Sequence, residues 1–166
     1  MAGIRARQTL LVLIYTLSGW MFVLSILTDR LLFGLLGMPF FLFLVSTIHE
    51  AGHLLGCRIN KNTVTGFRTP VFSVQGGHFR INDRLFPGGG CSFLKKQQDG
   101  LVYLCGPFAS GFCFILCLIW WLIKPGSVAL LCMAAAGTHV LVNIFPCRRN
   151  DLYYFIKELK KGAPRL

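Results

Sequence analysis

Leu31-Leu32-Phe33-Gly34-Leu35-Leu36 opens an apolar run that reaches Gly56 and closes in Ile48-His49-Glu50-Ala51-Gly52-His53-Leu54-Leu55-Gly56. A helix needs about 20 predominantly apolar residues to cross a bilayer, and this run exceeds that length. Three ionisable residues in its last two turns are costly in such a setting unless they serve a site. Further apolar runs lie on either side, so the chain reads as four spans at about 10–27, 31–56, 101–123 and 128–146.

The composition agrees. Only 14% of the 166 residues are charged and 54% are hydrophobic, with a mean hydropathy of +0.62. An ordinary soluble domain carries roughly 25% charged residues. Arg5 and Arg7 before the first run resemble the start of a secretory signal. The run is too long for an h-region and lacks a small-x-small cleavage pattern, so a retained helix is expected. The length fits a single membrane-embedded domain over 1–166, with no room for a separate soluble regulatory module. The expected fold is all-α integral membrane: four transmembrane helices with a small β-hairpin loop between helices 2 and 3.

The net charge of +11 does not point to nucleic acid. The basic residues sit at span ends and in short loops, beside lipid headgroups. The aromatic residues Tyr15, Trp20, Trp120 and Trp121 lie inside apolar runs and not among arginines, as a base-stacking platform would require. All of the 17 Lys and Arg except Arg30 and Lys124 fall on one side of the four spans. By the positive-inside rule both termini, the loop 58–100 and the basic tail 147–166 are cytoplasmic, and the cell membrane is the expected location. The seven cysteines include no CxxC pair and most lie in apolar runs, so they read as reduced small hydrophobes.

In the loop, Phe72-Ser73-Val74 and Phe79-Arg80-Ile81 alternate in polarity around Gly76-Gly77, a hairpin signature. Gly88-Gly89-Gly90 reads as a flexible joint. In the tail, Leu152, Phe155, Ile156 and Leu159 oppose Lys157, Lys160 and Lys161, which predicts a short amphipathic helix.

His49-Glu50-Ala51-Gly52-His53 is an HExxH sequence. On a helix, residues four apart share a face, so both imidazoles can meet one cation while Glu50 lies beside it. Catalytic zinc takes three protein ligands and leaves a fourth position for water. A neighbouring glutamate can take that water's proton and pass it to a leaving amine. Two histidines leave the site incomplete; Asp151, His139 and His78 are the candidates for a third ligand.

Three pieces in order, His49 to His53, Gly106-Pro107-Phe108-Ala109-Ser110, and Asn143 through Pro146 to Asp151, resemble the site-2 protease family of intramembrane zinc metallopeptidases. The resemblance spans about residues 31 to 152. It implies Zn2+ bound by His49, His53 and Asp151, Glu50 as general base and acid, and Asn143 in contact with the scissile peptide or its oxyanion. Pro146 fits, because a proline break lets the following residues fold back toward the metal. Two features depart from the family: Leu152 follows Asp151 where glycine is usual, and Cys147-Arg148-Arg149-Asn150 replaces an apolar stretch.

His139 lies one turn before Asn143 on the same face, and reads as a supporting residue beside the ligands or a buried polar group bonded to a neighbouring helix. His78 reads as a surface histidine. Gly106 and Ser110 read as a small-xxx-small packing pair, and Pro107 as shaping the start of the third span. The expected partners are the lipid bilayer and a membrane-associated peptide or protein substrate, which could add as a strand to the edge of the 72–81 hairpin. Substrate choice falls to the loop, the first span or a regulatory membrane partner. A second class of reading is a non-catalytic membrane protein that binds metal or haem for transport or assembly.

Overall fold

The computed structural model describes residues 2–82, 89–94, 100–145 and 150–162. The elements are α1 (Ala2–Thr28), α2 (Leu31–Ile59), β1 (Thr63–Arg68), β2 (Phe72–Gln75), β3 (His78–Ile81), β4 (Gly90–Leu94), α3 (Gly100–Ile123), α4 (Ser127–Ile144) and α5 (Asp151–Gly162). Among them, four helices are long and apolar enough to cross a membrane, over Ile4–Thr28, Leu31–Ile59, Gly100–Ile123 and Ser127–Ile144. The expected limits shift: the first begins nearer the N-terminus than residue 10, the second runs to Ile59, and the fourth stops at Ile144. Phe145 closes α4 in an extended conformation (φ −67°, ψ 127°), the conformation a following proline imposes. Pro146 itself lies outside the described residues.

Missing side chains set the helix spacing. A Cβ added at Gly37 would lie 2.6 Å from the Phe22 Cα, so α1 and α2 touch backbone to backbone. One at Gly52 would lie 2.8 Å from the Ala109 Cβ, and α2 and α3 meet in the same way. Phe41, Val45, Cys117, Val128, Cys132 and Ala136 fill the space between α2, α3 and α4 in the half of the bundle away from the sheet. At that end Asp29, at φ 48°, turns the chain between α1 and α2. Its carboxylate Oδ1 accepts the Val128 N–H at 3.1 Å and its carbonyl accepts the Ser127 hydroxyl at 3.1 Å, which staples this turn to the start of α4. The outward faces carry large apolar residues such as Trp20, Leu27, Phe112, Leu122 and Ile123. The described cysteines are free thiols, as expected.

The expected hairpin exists. It turns through Gly76 and Gly77 at φ 56° and 80°, the positive values a two-residue turn of this hand requires. It is part of something larger: an antiparallel sheet in the order β3-β2-β1-β4. Gly90 opens β4 and so belongs to a strand, not to a flexible joint; Gly88 lies outside the described residues. Val74 pairs with Phe67 on one side and Phe79 on the other, so β2 is interior and offers no edge. Among the described residues the sheet's edge strands are β3 and β4. The Gln8 side chain donates to the Ile81 carbonyl at 2.8 Å and ties the β3 end to α1. β4 lies against α2 instead.

Candidate metal centre

His49, Glu50 and His53 are on α2, and all three are buried, with 4–6% of their surface exposed. The helical repeat brings the two imidazoles edge to face, with Nε2 atoms 3.1 Å apart. Asp151, the first residue of α5, completes the group: its Oδ2 lies 2.8 Å from His49 Nε2 and its Oδ1 3.3 Å from His53 Nε2. For a tetrahedral ion with bonds of about 2.0–2.1 Å, neighbouring ligand atoms stand roughly 3.3 Å apart. The three separations, 2.8–3.3 Å, lie at or somewhat inside that edge, and the three residues could hold a metal ion.

The opposite ring nitrogens show which atoms are available. His53 Nδ1 lies 2.8 Å from the Val102 carbonyl, which only accepts, so Nδ1 carries the proton and Nε2 is a bare acceptor. His49 Nδ1 lies 2.8 Å from the buried Ser110 hydroxyl. With both rings neutral and His49 Nδ1–H donating to Ser110, two lone-pair nitrogens and a carboxylate face one another, and Asp151 Oδ2 has no hydrogen-bond partner among the described residues. Converging acceptors of this kind repel unless a cation or an added proton lies between them. The donor set, its spacing and the unpartnered oxygen all fit a divalent metal.

α3 makes room with one stripe of residues. Val102, Gly106 and Ser110 are successive turns of the same face. A Cβ on Gly106 would collide with His53 Nε2 and come within 2.8 Å of His49 Nε2, so nothing larger than hydrogen fits there. Pro107 lies well inside α3 and not at its start. His53 is six residues from the end of α2 and Gly106 six from the start of α3, which sets the site about 9 Å below the sheet-side ends of the helices.

α5 delivers the carboxylate. Asn150 Oδ1 accepts the Tyr153 N–H at 3.1 Å and caps the helix, and its amide donates to the Val142 carbonyl at 3.2 Å, tethering that cap to α4. Tyr154 stacks on Tyr103 of α3 with ring centroids 5.5 Å apart, and Phe155 lies against Gly100. Burial works against ionisation of Asp151, but without a metal a ring proton of His49 or His53 turned to the carboxylate outweighs it and holds the carboxyl at about 2, and a bound cation would act in the same sense. Asp151 is therefore a carboxylate at any working pH. Leu152 in place of glycine is compatible with this geometry, since Asp151 and Leu152 are ordinary first-turn helical residues. Arg148 and Arg149 lie outside the described residues.

The Glu50 side chain lies near His53 and Asp151 and against Gly89, the residue before β4. Its Oε2 is buried without a hydrogen-bond partner among the described residues, and a Cβ on Gly89 would strike its Oε1. Two residues on, Cys91 meets Cys57 of α2 through their thiols; burial and that neighbour push the Cys91 thiol up to about 12, so it is a neutral packing group. No family model, curated protein or solved structure matches this chain.

His139 stands beside the ligands and is not one of them: its ring is 5.2 Å from that of His49, and its Nδ1 lies 3.2 Å from Ser110 Oγ. Asn143 donates to the His139 carbonyl at 2.7 Å and lies 3.3 Å from its Nδ1. His78 is exposed on β3 and outside the ligand group, as a surface histidine should be. Ser110 reads from sequence as a packing residue and Gly89 as part of a joint, and neither motif points to its contact with His49 or Glu50.

Proposed function

We propose that this chain is an intramembrane zinc metalloendopeptidase of site-2 protease type, hydrolysing a peptide bond of a membrane-associated protein or peptide near the cytoplasmic face. The observation that carries the reading is the convergence of His49 Nε2, His53 Nε2 and the Asp151 carboxylate beside a buried Glu50, whose Oε2 has no hydrogen-bond partner among the described residues. Zinc bound there supplies a Lewis acid and an acidified water. Glu50 accepts the proton of the attacking water and passes it to the departing amine. A site that only held metal or haem would have no use for an unpartnered carboxylate at that position.

A peptide bond inside a lipid-embedded helix is shielded, so the substrate must be extended before it is cut, with its backbone groups satisfied by the protein. The free edge of β4 suits this: its start is pressed against Glu50, whereas the β3 edge is tied to α1 and Val74 is interior. The four apolar helices and the one-sided distribution of Lys and Arg support an integral membrane protein with both termini and the sheet in the cytoplasm.

The test compares wild type with Glu50→Gln, both purified in detergent, for metal content and for cleavage of membrane-tethered peptides. One zinc per chain in both, with cleavage only by wild type, is the expected result. An activity that survives Glu50→Gln would overturn the protease reading and leave the metal-binding one.

A further inference from the structure

Hydroxyl side chains in these helices have an ordinary use. Thr16, Thr28, Thr47 and Thr138 each return the hydroxyl to a carbonyl one turn back in their own helix, at 2.7–2.9 Å. Ser110 does not. It is fully buried in α3, and its Oγ reaches across two helix interfaces, 2.8 Å from His49 Nδ1 on α2 and 3.2 Å from His139 Nδ1 on α4. Small size at this position satisfies helix packing, but packing alone gives no reason for the hydroxyl to leave its own backbone.

Proton bookkeeping gives the chain of bonds one direction. With His49 Nε2 turned to the ligand group, His49 Nδ1–H donates to Ser110 Oγ. The single hydroxyl hydrogen is then free for His139 Nδ1, which accepts it when that nitrogen is bare, a tautomer that the Asn143 amide 3.3 Å from the same nitrogen also favours. Asn143 holds that ring's backbone through its bond to the His139 carbonyl. The other ligand, His53, is fixed by the Val102 carbonyl, a main-chain group. His49 alone depends on a side chain, and that side chain is itself oriented from α4.

We infer that Ser110, backed by His139, is a positioning residue that fixes the tautomer and ring orientation of His49 and so sets how tightly the centre binds metal. The inference rests on the metal-centre reading above and not on protease activity. Hydrogen-bond partners of this kind hold metal-ligating histidines in place, and removing one typically weakens metal binding about 10–100-fold.

The experiment uses the full chain in detergent, titrated with zinc against a competing chelator, and with cobalt for its visible absorption. Ser110→Ala should raise the zinc dissociation constant about 10–100-fold and shift the cobalt band, and Ser110→Thr, which keeps the hydroxyl, should restore both. His139→Ala should weaken binding less than Ser110→Ala, and the double variant should bind no worse than Ser110→Ala alone, because His139 acts through the hydroxyl. Wild-type affinity and an unshifted cobalt band in folded Ser110→Ala would overturn the inference. Additive losses in the double variant would overturn the relay order. A wild type that binds no stoichiometric metal would overturn the metal centre and this inference together, whereas a metal-binding wild type with unaffected variants overturns this inference alone.

Discussion

Gly106→Ala is the smallest change that reaches the centre of the site. The new methyl group would collide with His53 Nε2 and lie 2.8 Å from His49 Nε2, against the 3.4 Å or more of an ordinary contact. Relief requires the α2 and α3 backbones to part, or both rings to swing, by at least about 0.6 Å at His49 and more at His53. Overpacking of this kind costs roughly 1–3 kcal/mol. If that strain falls on the metal-bound state, it corresponds to a loss of about 5- to 150-fold in zinc affinity, at about 1.4 kcal/mol per tenfold. Turnover falls further, since a displacement near 1 Å costs on the order of 100-fold in a positioned reaction. The assay is chelator competition for zinc alongside peptide cleavage, with Gly111→Ala as control. Gly111 is on the same helix with nothing within 4 Å of the added carbon. That control should bind zinc normally and gain up to about 1 kcal/mol of helix stability. If Gly106→Ala bound zinc and cleaved peptide like wild type, the reasoning about the α2–α3 contact would be refuted.

Gly89→Ala should leave zinc binding intact and lower turnover about 100-fold, because its methyl group displaces Glu50 and not the ligands; loss of zinc in this variant would show that Glu50 and the ligand set are not independent. Asn150→Ala removes the cap of α5 and should cost about 1 kcal/mol in the docking of Asp151. Faster hydrogen exchange in α5 and zinc binding about 5-fold weaker are the expected readouts, and unchanged exchange would refute the capping role.

Much of the bundle was legible in sequence because hydropathy and helix period are local properties. The four apolar runs, the Gly76-Gly77 turn and the shared face of His49 and His53 each follow from residues within a few turns of one another. β1 and β4 were not legible. Thr63–Arg68 and Gly90–Leu94 are short and far apart in sequence, and become strands only by pairing, β1 with both β2 and β4 and β4 with β1. That pairing also added a second edge, β4, to the one the hairpin offers at β3. His139 showed its face but not its partner, since Ser110 is on another helix.

The sequence by itself determined the apolar helices, the side of the chain that carries the positive charge, and an i, i+4 pair of histidines with a glutamate between them. Only the tertiary structure decided that Asp151, some hundred residues away, comes to 2.8 Å of His49 where His139 and His78 do not. It alone decided that Ser110 orients the ring and that Gly89 lies against Glu50. The physical reason is range: helix formation and hydropathy act along a segment, whereas a ligand shell and a close backbone approach depend on how separate segments pack.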